Sequence, residues 1–164
     1  MTDSVALRAL YGIRTRLTAI NGAAPFNTAA GARVYISRAT IEKTDLPCLI
    51  IVPGDETVEP SSGGGIADGR SQAMRVQFDV NVEGIVAAEQ SNTGEQLEEI
   101  KADIKRACLL FEQQTLKDDT FSIGPIGYLG STPLPREDGA ATESVQCRFR
   151  VTYTEKFGDP NATR

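Results

Sequence analysis

The sequence predicts an α+β fold: a mostly antiparallel β-sheet with two main α-helices packed on one face. Residues 5–20 and 93–111 place apolar side chains three and four positions apart, the period of a helix with one buried stripe. Residues 74–86 and 143–155 instead alternate apolar and polar side chains at every second position, the period of a strand with one buried face. Elements with one apolar side each need a single covering layer, so the economical solution sets the helices against one side of the sheet. A chain of 164 residues supports one core. We therefore assign residues 1–157 to a single domain and 158–164 to a short, mobile C-terminal tail.

Taken in order, Asp3 or Ser4 can cap the first helix, whose stripe is Ala6, Leu10, Ile13, Leu17 and Ile20, and Asn21-Gly22 is a good stop. Arg8, Arg14 and Arg16 fall off this stripe on a solvated or inter-subunit face. Residues 23–32, rich in Ala, Gly and small polar residues, read as a connector to a short strand at 33–37. The run LPCLIIV at 46–52 is apolar on both alternating faces, which predicts a central strand packed on each side and ended by Pro53-Gly54.

Residues 54–72 contain a Gly triplet, Pro60 and very little apolar content, and are predicted to be a loop. Loops longer than about 12–15 residues inside a compact domain are uncommon and are usually functional or disordered. Asp55, Glu56, Glu59, Asp68 and Arg70 in this loop are therefore the candidate partner-binding residues. The strand that follows, at about 3.3 Å per residue, spans roughly 43 Å, and one end is expected to project as an arm. Asn92 or Thr93 can cap the second helix, with Leu97, Ile100, Ile104, Ala107, Cys108 and Phe111 inward and Glu95, Glu98, Glu99, Lys101, Asp103, Lys105 and Arg106 on a solvated face. Asp118-Asp119 marks a turn, the glycines and proline of 121–134 imply a bent or edge strand, 133–142 is a polar loop, and 143–155 is the last strand.

Composition excludes several functions. A net charge of -5 with scattered basic residues argues against nucleic-acid binding, which depends on clustered Lys and Arg. The chain has no His, which rules out Ser-His and Cys-His triads and the commonest metal ligand. Cys48, Cys108 and Cys147 are far apart with apolar neighbours, as reduced buried thiols are. No apolar run of about 18 residues or secretory start is present, so a cytosolic, non-membrane protein is expected. Ser61-Ser62-Gly63-Gly64-Gly65 could suggest a phosphate cradle, yet it lacks the GK[ST] ending, sits among acids and leads into a strand. The acidic pairs Asp118/Asp119 and Glu137/Asp138 have no positioned partner that would make a hydrolase of them. No catalytic, cofactor or metal residues are assigned, and no enzyme activity is expected.

The segments VALRALYGIRTRLTAI, RVYISR, LPCLIIVPGDE, MRVQFDVNVEG, LEEIKADIKRACL and FRVTYTEKFGDP, in this order, resemble the tail-terminator (tail-completion) family of long-tailed bacteriophages over nearly the whole chain. The resemblance implies an α+β subunit of a homo-hexameric ring that caps the tail tube, ends its polymerisation and offers a surface to the head-side connector. It implies as partners further copies of the chain, the tube protein, a neck protein and, in a contractile tail, the sheath. The expected location is the neck-proximal end of the tail in the virion, after assembly in the host cytoplasm. Another neck or connector protein is the alternative. The polar strand faces supply candidate interface residues, Asp79 and Glu83 on one and Arg148 and Arg150 on the other. Their opposite charges fit either pairing within one sheet or a contact between subunits.

Overall fold

The computed structural model describes residues 3–38, 40–59, 73–88, 92–109, 115–117, 122–134, 140–156 and 159–163. It is an α+β fold. In chain order the main elements are α1 (Val5–Leu17), β1 (Val34–Ile36), β2 (Cys48–Glu59), β3 (Ala73–Ala87), α2 (Thr93–Leu109), β4 (Thr115–Lys117), β5 (Ser122–Pro133), β6 (Thr142–Lys156) and β7 (Asp159–Thr163). The sheet runs β1-β2-β3-β6-β5-β4, with β7 paired to β6. Every pairing is antiparallel except that of β1 with β2.

Helix α1 begins at Ser4, whose hydroxyl accepts a bond from the Leu7 N–H at 3.2 Å and satisfies one of the donors a helix start leaves open. Its buried residues are Val5, Ala9, Leu10, Ile13 and Leu17, with Ile20 just beyond; Ala6, expected on this stripe, is only partly buried. Helix α2 buries Ile100, Ile104, Ala107 and Cys108. Both helices share one continuous core with Leu49, Ile51, Val76, Phe78, Val80, Val82, Val145, Cys147, Phe149 and Val151, so both lie on the same face of the sheet. The alternation read in β3 and β6 is the observed one, and the two strands pair in register from Ala73↔Lys156 to Ala87↔Thr142.

The LPCLIIV run is not central, since β2 lies second from one edge, but it is packed on both faces. Leu49 and Ile51 enter the main core, while Cys48 and Ile50 join Ile85 in a second cluster on the opposite face. Tyr35, Ile41 and Leu46 pack over this second cluster. There Asp45 accepts a bond from the Tyr35 hydroxyl at 3.1 Å and pairs with Arg38 at 2.8 Å, and the Arg38 guanidinium sits 4.1 Å over the Tyr35 ring.

Three further expectations are corrected. Pro53-Gly54 does not end β2: a bulge between Pro53 and Glu56 absorbs the proline, and pairing with β3 resumes at Glu56↔Phe78. Residues 55–59 are therefore strand and not loop. The long strand β3 is also not a free arm, because β2 and β6 pair along its two edges. Residues 159–163, expected as a mobile tail, form β7 against the end of β6, and the Arg8 side chain donates to the Asn161 carbonyl at 2.9 Å. The bent character of 121–134 is seen in β5, where the register shifts between Tyr128 and Gly130 and Gly130 has φ of 131°. Phe111, Asp118, Asp119, Glu137 and Asp138 lie outside the described residues.

Candidate functional site

Asp79 and Arg150 are direct partners across the β3–β6 ladder. Arg150 donates two bonds to the Asp79 carboxylate, at 2.6 and 2.9 Å, in the paired geometry that suits a guanidinium. The bonds from Arg150 hold the Asp79 carboxyl below its ordinary value. This pair therefore closes within the subunit. Arg148 and Glu83 occupy the same polar face but meet different rungs: Arg148 lies opposite Asn81 and Gly130, and Glu83 opposite Gln146 and Ile50. Arg148 is exposed, with its guanidinium beside the backbone of Gly130.

The acidic residues assigned to the partner loop divide differently. Asp68 and Arg70 lie outside the described residues. Asp55, Glu56 and Glu59 fall on the distal half of β2, past the bulge. Glu59 pairs with Arg75 at 3.3 Å and also accepts a bond from Gln77. Glu56 points to the helix side of the sheet, where it accepts the Tyr153 hydroxyl at 2.8 Å. Glu155 stands on the same side, opposite Met74, and burial together with the Glu56 charge raises its carboxyl above the ordinary value. Val58, between Glu56 and the end of the strand, is 56% exposed.

Sequence reading missed Asp103. Placed on the solvated face of α2, it is in fact fully buried. Its carboxylate accepts the backbone N–H of Asn27 (2.9 Å) and of Thr28 (2.7 Å) and pairs with Arg106 at 3.1 Å. A signal was present: position 103 lies three after Ile100 and next to Ile104, at the border of the apolar stripe. The residue fastens the 23–32 connector to α2.

Burial pushes the thiols of Cys48 and Cys147 up to about 11 and that of Cys108 up to about 12, so thiolate, the nucleophilic form, is scarce at neutral pH. Among the described residues, no three Cys, Asp or Glu side chains converge as metal ligands would. A cleft of about 360 Å³ lies between the connector, the 43–47 segment, the end of β3 and α2, with Lys43 and Glu99 on an otherwise largely apolar wall. No helix among the described residues is long and apolar enough to cross a membrane.

No protein-family model matches this chain, and no curated protein matches it. Among solved structures it is similar to a chain of the virion of the native gene transfer agent (GTA) particle. That match has 15% sequence identity and a TM-score of 0.51, covering 91% of this chain and 93% of the other. At this identity what the two chains share is the fold.

Proposed function

We propose that this chain is a virion structural protein of a phage-like particle, a tail-terminator subunit that acts by assembling into a ring. The carrying observation is the fold shared, over nearly the full length of both chains, with a component of a gene transfer agent virion. The ordered segments that resemble tail terminators support the same reading from the sequence side. In this reading a homo-hexameric ring binds the growing end of the tail tube and presents a different surface outward. The next tube subunit finds no matching partner, and polymerisation stops. The outward surface then receives the head-side connector and, in a contractile tail, the adjoining sheath layer. The protein catalyses no reaction and holds no cofactor. It makes no sequence-specific nucleic-acid contact and does not enter a membrane.

Deletion of the gene tests the role. A terminator's loss yields tails of uncontrolled length and heads without tails, and purified protein added back caps tubes in vitro. Tails of normal length in the deletion strain would refute the assignment. If those tails also failed to join heads, another neck or connector role would take its place.

A further inference from the structure

Among the described residues three large apolar side chains are well exposed, Tyr11, Val58 and Leu129. Two of them sit in surroundings of opposite charge. Val58 lies on the helix side of the distal β2–β3 hairpin, with exposed Asp55 and Glu56 on its own strand and the partly buried Glu155 across the ladder. Among the described residues no cation stands on this side: Arg75 is on the opposite face, paired with Glu59. Glu56 and Glu155 consequently repel one another.

Tyr11, 43% exposed, lies on the outer face of α1. Arg14 is one helical turn on and is exposed as well. Between Val5 and Leu17 the helix carries Arg8, Arg14 and Arg16 and no acidic residue, in a chain whose net charge is -5. Tyr and Arg are the side chains that most often anchor protein interfaces, because each combines a large apolar area with polar groups able to make directed bonds.

We propose that these two surfaces are the halves of one contact between copies of this chain: the Tyr11–Arg14 face of α1 in one copy receives the Val58 hairpin, with Glu56 and Glu155, of the next. The occupant is a second copy because one molecule carries both an apolar residue with acids on its face of the sheet and an aromatic residue beside arginines. Neither half is self-complementary. Each would repel its own image, so the contact is head-to-tail and leaves an unused half at each end until a ring closes. A guanidinium placed at the hairpin also relieves the Glu56–Glu155 repulsion. The inference rests on the ring reading given above and supplies the surfaces that reading requires.

Charge reversal with rescue by mixing is the test, read by sedimentation and native mass on the full chain. Arg14→Glu and Glu56→Lys should each raise the concentration needed for assembly at least about tenfold, since like charges then meet at the contact. Mixed in equal amounts, the two variants should reassemble as an alternating ring in which every contact again joins opposite charges. Val58→Ser, at an exposed site, should weaken assembly without altering the unfolding midpoint, which covers the case in which Glu56→Lys fails to fold. Wild-type rings with unaffected Arg14→Glu and Val58→Ser proteins would overturn this contact and leave the ring reading standing. A wild-type chain that stays monomeric both alone and with tail tubes would remove the ring reading and the contact together.

Discussion

A carboxylate with no exposure to water needs donors on every side, and Asp103 obtains them from two backbone N–H groups and Arg106. Replacing it by Ala leaves those N–H groups without an acceptor. We expect Asp103→Ala to lose about 2–4 kcal/mol in urea unfolding, with the 23–32 connector losing protection from hydrogen exchange first. Asp79 belongs to a different class, because its partnership with Arg150 lies on a partly exposed sheet face. The folded-state value of its carboxyl is depressed, so the pair's contribution is present above the ordinary carboxyl range and disappears as pH falls through that depressed value. A double-mutant cycle of Asp79→Asn and Arg150→Gln should thus give favourable coupling at pH 7 that fades in acid. Coupling that is unchanged at pH 2 would show that hydrogen bonding independent of the charge holds the pair. At this scale the sequence showed that opposite charges lie on the polar faces of β3 and β6, but not which charges meet. Pairing depends on register, and alternation is the same in every register shifted by two.

Elements with strong periodicity were legible: both helices and the two longest strands follow their apolar patterns because one side of each meets a shared core. Elements decided by long-range pairing were not. Pro53-Gly54 is a local stop signal, yet β3 offers a continuous edge to the residues beyond it, and a bulge costs less than leaving that edge unpaired. Strand β7 pairs with β6, the element just before it, and also depends on a bond from Arg8, which lies 153 positions away in the sequence. Arg8→Ala should speed hydrogen exchange in 159–163 with little change in global stability, since surface substitutions usually shift stability by less than about 0.5 kcal/mol. The connector shows a close approach that only glycine permits. A Cβ on Gly31 would overlap the carbonyl oxygens of Leu17 and Ile20, the latter at 2.6 Å. Because backbone atoms cannot yield as a side-chain tip can, Gly31→Ala should cost at least about 2 kcal/mol and lower the melting temperature by several degrees.

For the whole molecule, the sequence predicted the α+β class and the number of main helices, and both are observed. It placed the partner-binding acids on a loop, whereas Asp55, Glu56 and Glu59 stand on a strand whose helix side is left uncovered near Val58. Val76, the partner of Val58 across the ladder, is buried while Val58 is not, so the exposure belongs to the distal part of β2, beyond the residues that β1 pairs. The central claim, a closed ring that ends a tube, is tested most directly by native mass and electron microscopy of purified protein incubated with tail tubes. The account predicts hexameric rings seated at one end of each tube and no further growth when tube subunits are added. Tubes that continue to lengthen from both ends in the presence of saturating protein would contradict it.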